Sequence, residues 1–528
     1  MGTMFLGTKF PVDLETWSRG FHRVVRWVKL QTNTRGRARS IALACRYGVK
    51  VFLGPDGAFG GNPEKPRTLV RGVVTGDDGL YGGGPETPAG GGGRLGSPIA
   101  FPGMILVRRL LGSLLVAARS GLGRNLFYLY LAQGANYLFP LLTIPYLSRT
   151  LGLEGFGLLS VGQALAVCLQ LLVDYGFPLS GTREVARHRE DRKALAQILA
   201  GVLGAKLVLV LLAGGLTLLA WWVVPVLRPN PLVAFAAFFY ASATAFGPSW
   251  FYRGLEEMRM VAFLEVGARF LALMGIIVLV REPSQVPLVI FINGAASLVV
   301  SLVGTWRLWR MVGPLVFSLQ GACRFLSLGS RLFPFQAVMA LYLVINPIAL
   351  SLFASPREVG LFSGAERIVR ALWGLLDPLN RAFFPRISHT MAIDERRARS
   401  LAARALIFMG IIATGLGLTL VVFAPWLLRY FLGASYEEAT PLLRVMALAL
   451  PLGAVSNALG IQWALALGLD VLVNRVFLLA GFLQLGIAFL FAAAYGPGGV
   501  AWGMVLVALF EVVAFALVLA RKGGLPLG

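Results

Sequence analysis

Long apolar runs separated by short polar stretches fill the chain from Asn125 onward. Six runs lie near 125–148, 156–180, 195–226, 231–250, 258–280 and 286–306, and six more near 327–353, 359–384, 401–432, 441–467, 471–494 and 498–520. A helix needs about 20 apolar residues to cross a bilayer core about 30 Å thick. The pattern therefore predicts an all-α polytopic membrane protein with about twelve transmembrane helices joined by short loops.

Residues 1–103 differ from the rest of the chain. They contain no long apolar run, and nine of the thirteen residues 82–94 are glycine or proline. Such a tract cannot bury enough apolar surface to offset the entropy of ordering it. We expect a disordered extension, or an upstream stretch included by a wrongly chosen start codon, because Met104 opens a short basic segment before the first run. A short basic helix on a membrane surface, around residues 21–28, is the alternative.

Composition supports a membrane protein and excludes several other classes. Hydrophobic residues make up 57% of the chain, charged residues make up 14%, and the mean hydropathy is +0.73, whereas a soluble domain carries about a quarter charged residues. The net charge of +23 could indicate nucleic acid, but the basic residues cluster between apolar runs, where they act as orientation signals. We therefore expect no nucleic-acid partner.

Catalytic and metal-binding motifs are missing from the sequence. The three cysteines and three histidines are scattered, without the spacing of a disulfide framework or a zinc site. No Walker A or nucleophile-elbow motif occurs. We expect no metal, no cofactor and no enzymatic activity, so transport would be driven by an ion gradient, the membrane potential or consumption of the cargo.

Positive charge alternates from loop to loop. Most loops after even-numbered runs are rich in arginine and lysine, as in residues 183–193 and 386–399, although the last holds only Arg475. Each loop after an odd-numbered run carries one arginine or none. Cytoplasmic loops carry the excess of basic residues. This asymmetry predicts that both termini are cytoplasmic, which agrees with an even number of spans.

An internal repeat relates the two sets of six runs. An offset of 203 positions links Gly157 to Gly360 (360 − 157 = 203), and the same offset links Gln133/Gln336, Ser148/Ser351, Ser160/Ser363, Asp174/Asp377, Arg183/Arg386 and Asp191/Asp394. Because six is even, both halves begin on the same side of the membrane, so the repeat is parallel. This predicts two six-helix lobes, residues 104–311 and 312–528, around a central cavity, which is a transporter design.

Charges inside the apolar runs are the candidates for cargo binding, because each costs about 2.5–3.5 kcal/mol to insert and usually faces a cavity or a partner. We expect four cations to line the cavity: Lys206, Arg331, Arg367 and Arg370. Arginine offers a planar fork of donors that matches phosphate oxygens. The structural alternative for Lys206 and Arg331 is that they extend to the nearby membrane interface.

Five further charged residues are candidates for coupling or gating: Arg149, Asp174, Glu265, Arg269 and Glu366. Glu265/Arg269 and Glu366/Arg370 are spaced i, i+4, so each pair shares a helix face and could instead neutralise itself to ease insertion. Arg367 points about 100° away from Glu366 and has no such partner. Asp174 could bind a proton or cation, or could mark a helix-ending bend, and Arg149 could cap the outer end of the first span.

One stretch resembles a known family. It comprises Gln133, residues 140–157 (PLLTIPYLSRTLGLEGFG), Asp174-Tyr-Gly-Phe and Thr182-Arg-Glu-Val-Ala-Arg187. Over about 70 residues it resembles the amino-terminal signature of the Wzx-type oligosaccharide flippases, within the multidrug/oligosaccharidyl-lipid/polysaccharide exporter superfamily. Residues 1–103 have no counterpart in it.

The resemblance implies a fold and a function. It implies two six-helix lobes in a MATE-like arrangement, and a polyprenyl-diphosphate-linked oligosaccharide as cargo, flipped across the bacterial plasma membrane by alternating access for surface polysaccharide biosynthesis. Expected partners are this cargo, membrane lipids, and a polysaccharide polymerase and glycosyltransferases. The alternative is an ion-coupled multidrug or other small-molecule antiporter of the same superfamily. A membrane enzyme such as a polymerase would need a large outer loop, which the sequence lacks.

Overall fold

The computed structural model describes residues 121–330, 332–521 and 524–526. The expected N-terminal extension, residues 1–103, and Arg331 lie outside the described residues. Within them the chain is mostly helical and forms no strand. Below, residues 121–312 are called the first half and residues 313–526 the second half.

Seven α-helices build the first half: α1 (Gly121–Asp174), α2 (Phe177–Arg187), α3 (Arg192–Val223), α4 (Pro231–Ala245), α5 (Ser249–Gly254), α6 (Met258–Leu279) and α7 (Val286–Val312). Asp191 starts α3, since its carboxylate accepts hydrogen bonds from the backbone N–H groups of Lys193 and Ala194, which have no partner inside the helix. Between α1 and α2 the chain turns at Tyr175 and Gly176, both with positive φ.

Seven α-helices build the second half: α8 (Leu319–Ser330), α9 (Phe333–Phe353), α10 (Pro356–Met391), α11 (Glu395–Leu427), α12 (Thr440–Ala447), α13 (Ala449–Asn457) and α14 (Asp470–Arg521). Ser355 and Glu358 form a capping box at the start of α10, and Asp394 caps α11. π-helical turns at Leu428–Leu432 and Ala458–Ala464 extend α11 and α13.

Helices α1 and α14 are each long enough to cross a membrane twice. They contain 54 and 52 residues, or about 80 Å at 1.5 Å per residue, against a bilayer core of about 30 Å. Each bends at a glycine with positive φ, Gly152 (φ 68°) and Gly496 (φ 59°). Glycine adopts this conformation without the cost that a Cβ atom would add. Each bend therefore joins two helical segments that run in different directions.

The described residues form a multi-pass membrane protein. Nine helical segments within them are long and apolar enough to cross a membrane, and the segments Leu131–Arg187 and Asp470–Arg521 contain the two bends. Large apolar side chains such as Leu211, which is 79% exposed, face outward, as lipid contact requires. The prediction of an all-α polytopic membrane protein is confirmed. The count of twelve stays a prediction, because α10 spans 36 residues but is too polar to be among the nine.

The two halves meet where α1 crosses α10. A Cβ atom added to Gly157 would overlap the carbonyl oxygen of Pro356, and one added to Gly360 would overlap that of Leu153. The two contacts are reciprocal, since both pairs obey the same offset (356 − 153 = 203 and 360 − 157 = 203). Only glycine permits so close a backbone approach. The strongest match of the sequence repeat thus lies at the contact between its two copies.

Candidate functional site

A cavity of about 740 Å³ opens between α9, α10, α13 and α14, and Tyr137 of α1 also lines it. Its wall combines aromatic rings, side-chain amides, carboxyl groups and one arginine: Tyr137, Tyr342, Trp373 and Phe477; Asn346, Asn457, Asn474 and Gln484; Glu366, Asp377 and Glu511; and Arg370. A second depression, of about 900 Å³, lies where the bend of α1 meets Asn230, Pro283 and Arg357. The first is the candidate functional site, because it brings polar groups together among the apolar helices.

Helix α10 supplies the polar side of the cavity. Glu366, Arg370, Gly374 and Asp377 follow one another at intervals of three or four residues, and all four line the cavity. This spacing places them on one helix face. The polarity that keeps α10 from being counted as an apolar span therefore faces the cavity rather than lipid.

Tyr137 brings the first half into this site. Its hydroxyl donates a hydrogen bond of 2.6 Å to the Asp377 carboxylate. Gly374 makes room for its ring, since a Cβ atom there would lie 2.5 Å from the ring atom Cε1 of Tyr137. The cavity wall is thus built from both halves, and a movement between them would change its shape.

A chain of hydrogen bonds holds Glu366 in place. Gln484 Nε2 donates to Asn346 Oδ1 (2.8 Å), and Asn346 Nδ2 donates to Glu366 Oε1 (3.0 Å). Arg370 forms an ion pair with the same carboxylate oxygen at 2.8 Å and donates to the carbonyl of Leu343. The i, i+4 ion pair that the sequence left open as an alternative is formed here. Arg370, the only cation in the cavity wall among the described residues, is therefore already matched by a carboxylate.

Glu511 is a second buried carboxyl group in the wall. It is 7% exposed and accepts a hydrogen bond of 2.7 Å from Ser456 Oγ. In the part of the chain that the structure describes, no lysine or arginine nitrogen lies within 4.0 Å of it. An ionisable group at such a depth usually serves a function.

Arg367 does not line this cavity but joins the two halves beside the Gly157–Gly360 crossing. Its Nη2 donates to Gln163 Oε1 (2.7 Å) and to Ser160 Oγ (3.2 Å), and its guanidinium carbon lies 4.3 Å from the centre of the Phe156 ring. No carboxylate lies within 4.0 Å of it among the described residues. Its positive charge is stabilised by the Gln163 amide, the Ser160 hydroxyl and the face of the Phe156 ring. The sequence had predicted that Arg367 faces the cargo instead.

Lys206 lies away from both cavities. It is 1% exposed, pairs with Asp174 at 3.0 Å, and donates to the carbonyl of Ala245 at the end of α4. The structure therefore brings together two residues that the sequence interpretation had assigned different roles, one as a cavity cation and the other as a coupling group. Their contact ties α1 to α3.

The remaining coupling candidates lie at helix surfaces. Arg149 Nη2 donates to the carbonyl of Tyr430 in the π-helical turn that follows α11 (2.5 Å). The Glu265 carboxylate pairs with Arg253 (2.5 Å), whereas Arg269 donates to the backbone carbonyl of Glu265 (2.9 Å). The side-chain pair that the i, i+4 spacing suggested is absent here, because Arg253 from α5 reaches the carboxylate instead.

Sequence reasoning did not select the aromatic and amide residues of the wall. Trp373, Asn346, Asn474 and Gln484 are uncharged, and an uncharged polar residue in an apolar run costs much less than a charge and attracts less attention. Tyr137 was missed because its partner, Asp377, is 240 positions away. The signal in the sequence that could have identified this wall is the occurrence of amide side chains at helical spacing in several apolar runs.

Comparison with known proteins identifies the family. A model of the polysaccharide biosynthesis protein family matches residues 122–391. The chain belongs to this family. Two relatives that carry the name O-antigen transporter are each 29% identical to it: one from Escherichia coli (strain K12), over 70% of this chain and 89% of the relative, and one from Shigella dysenteriae, over 75% and 99%. The resemblance stated from the sequence is confirmed.

Solved structures share the fold. One is the lipid II flippase MurJ in an inward closed conformation, with a TM-score of 0.51 and 14% identity over 72% of this chain and 87% of that one. Another is an inward-facing multidrug resistance MATE family transporter of the MOP superfamily, with a TM-score of 0.50 and 14% identity over 73% and 98%. The MATE-like arrangement expected from the sequence is therefore confirmed at the level of the fold.

Proposed function

We propose that this protein flips a polyprenyl-diphosphate-linked oligosaccharide across the bacterial plasma membrane for surface polysaccharide biosynthesis. Membership of the polysaccharide biosynthesis protein family and the O-antigen transporter relatives support this cargo. The observation that carries the proposal is the cavity of about 740 Å³ with polar and aromatic walls inside a multi-pass membrane protein. A glycan headgroup needs such a polar passage through a membrane, whereas its lipid tail can remain in the bilayer.

The movement in this proposal is alternating access between two lobes, residues 104–311 and 312–528. The Gly157–Gly360 crossing, the Arg367 contacts and the hydrogen bond from Arg149 to Tyr430 join the halves. A cargo that enters between the halves can leave on the other side only if such contacts separate. Arg149 and Arg367 therefore act in gating, and the bend glycines offer hinge points.

Arg370 is the headgroup contact in this proposal, and Glu366 acts as its internal competitor. A diphosphate carries more charge than a carboxylate and binds the guanidinium fork in the same bidentate way. Arrival of the diphosphate would draw Arg370 away from Glu366, which would then be held by Asn346 and Gln484. Arg331, Lys206, Asp174, Glu265 and Arg269 remain predicted contributors to binding or coupling.

The setting follows from the same proposal. The protein lies in the inner membrane with both termini cytoplasmic, as the distribution of arginine and lysine between loops supports. It has no catalytic role and binds no nucleic acid. A polysaccharide polymerase and glycosyltransferases, which consume and produce the cargo, are its proposed partners.

Glycan export in a strain that lacks its own flippase tests the proposal. We expect the wild-type chain to restore export and Arg370→Ala to reduce it at least tenfold, because a charge-assisted contact contributes about 1.5–3 kcal/mol. Arg444→Ala is the matched control, since Arg444 donates to a backbone carbonyl within the second half and lies outside the cavity. Failure of the wild-type chain to restore export of any lipid-linked glycan would contradict the proposal.

One observation favours the alternative of a multidrug antiporter: Glu366, Asp377 and Glu511 give the cavity wall three carboxyl groups against one arginine, as a cationic drug would require. Family membership argues against it. Drug resistance conferred on a sensitive strain, without any effect on glycan export, would decide for the antiporter.

A further inference from the structure

Apart from Arg370, the cavity wall has the chemistry of a sugar-binding site rather than of a lipid or phosphate site. A sugar ring presents C–H groups on its faces and hydroxyls, each both donor and acceptor, around its edge. Aromatic rings match the faces, and amides and carboxylates match the hydroxyls. A lipid tail would leave the amides of Asn457 and Asn474 without hydrogen-bond partners, and a phosphate could bind only at Arg370, the one cation of the described wall.

Trp373 offers an aromatic surface fixed in position. Its ring lies so close to Gly453 that a Cβ atom at that position would overlap it. Its indole N–H makes no hydrogen bond to another described residue, although the ring lines the cavity. A large ring held by a glycine, with a free donor at its edge, is suited to stack on a sugar and bind one of its hydroxyls.

Two amides in the wall lack partners. The Oδ1 atom of Asn457 is buried and accepts no hydrogen bond from any described group. The Asn474 side chain is exposed to the cavity and forms no hydrogen bond with another residue of the described chain. A buried acceptor without a donor is costly, so an occupant that donates from a hydroxyl would be favoured.

The charged side chains of the cavity wall favour neutral sugars over acidic ones. The only cation in the described wall, Arg370, is paired with Glu366 at 2.8 Å. Asp377 and Glu511 add two more carboxyl groups. An acidic sugar would therefore find no unpaired cation and would approach like charges, which disfavours it.

We propose that this cavity binds the uncharged sugar residues of the cargo, with Trp373 as the stacking surface and Asn457 and Asn474 as hydrogen-bond partners. The proposal rests on the function proposed above and adds a location and a sugar class to it. The diphosphate would lie at Arg370, with the glycan extending from it into the cavity.

The test uses the full-length chain in proteoliposomes and two cargoes with the same polyprenyl diphosphate, one bearing a neutral oligosaccharide and the other bearing a single neutral sugar. We expect Trp373→Ala and Asn474→Ala to slow flipping of the oligosaccharide cargo about 3- to 10-fold each, the effect of losing one contact, with little change for the single-sugar cargo. Trp502→Ala is the matched control, because Trp502 is 50% exposed on the outside of α14. This variant should flip both cargoes as fast as the wild type.

A third cargo tests the charge argument. With a uronic acid in place of one neutral sugar, we expect slower flipping by the wild type, and Glu511→Gln should narrow the gap. Equal losses for both neutral cargoes would assign the cavity to the diphosphate or the lipid and overturn the inference, as would equal rates for neutral and acidic glycans. The wild type could instead move both neutral cargoes at the same rate, with neither rate changed by the variants. That result would support the proposed flipping function and contradict only the proposed sugar site. If the wild type moves no cargo, both proposals fall.

Discussion

Replacing Arg367 by alanine should loosen the contact between the two halves. The variant loses hydrogen bonds from a charged donor to Gln163 and Ser160 and the contact with the Phe156 ring. A hydrogen bond to a charged group contributes about 1.5–3 kcal/mol, and a cation–π contact about 0.5–2 kcal/mol. These contributions are not additive, so we expect the joined state to lose at least about 2 kcal/mol, or about 30-fold in its equilibrium with a separated state.

Cysteine labelling measures this shift. Ser363 lies one helical turn from Gly360 at the crossing and is 2% exposed, and its hydroxyl has no hydrogen-bond partner among the described residues. Ser363→Cys, in a chain whose native cysteines are replaced, therefore leaves the Arg367 contacts intact and reacts with a maleimide only when the halves separate. If the joined state predominates, the labelling rate follows the separated fraction. We therefore expect Arg367→Ala to accelerate labelling about 30-fold.

The control separates this effect from general destabilisation. Arg444 also lies in a helix among apolar residues, but its Nε donates to the carbonyl of Val421 within the same half (3.1 Å). Arg444→Ala should leave labelling at position 363 within about twofold of the parent. Equal labelling rates in the parent and in Arg367→Ala would refute the assignment of Arg367 to the contact between the halves.

Three further predictions follow from particular contacts. Gly157→Val places a branched side chain against backbone, so transport should be lost in an assay of glycan export while membrane insertion, measured by fractionation, stays normal. Lys206→Met leaves the Asp174 charge without its partner and should lower stability by about 3–5 kcal/mol in a thermal-unfolding assay, and adding Asp174→Asn should recover part of the loss. Outside the membrane, the hydrogen bond from Arg189 lowers the pKa of Glu256 below its ordinary value of 4.5. The ion pair therefore stabilises the fold above pH 4.5, and this contribution is lost as the pH falls through the lowered pKa of Glu256. Arg189→Ala should raise the Glu256 pKa in an NMR titration.

Much of the architecture could be predicted from the sequence. Apolar runs about 20 residues long predicted a polytopic helical protein because a bilayer allows few other structures. The 203-residue offset also identified Gly157 and Gly360, which the structure places in reciprocal contact. Helical spacing alone placed Glu366 and Arg370 on one face and offered, as one of two alternatives, the ion pair that they form.

Partners across helices could not be predicted in this way. Spacing within one run shows which face is polar but not which helix lies opposite. Lys206 was therefore assigned to the cavity, whereas it pairs with Asp174 at the end of another helix. For the same reason the spacing offered Arg269 as a partner for Glu265 in one of two alternatives, whereas Arg253 reaches the Glu265 carboxylate.

Flipping by the purified protein tests the central claim most directly. Proteoliposomes that contain the full-length chain and a polyprenyl-diphosphate-linked neutral oligosaccharide are exposed to an impermeant glycan-cleaving enzyme. We predict that nearly all the cargo becomes accessible in liposomes with the wild-type chain, and that about half stays protected with Arg370→Ala over the same time. Equal protection in liposomes with the wild-type chain and in liposomes without protein would contradict it.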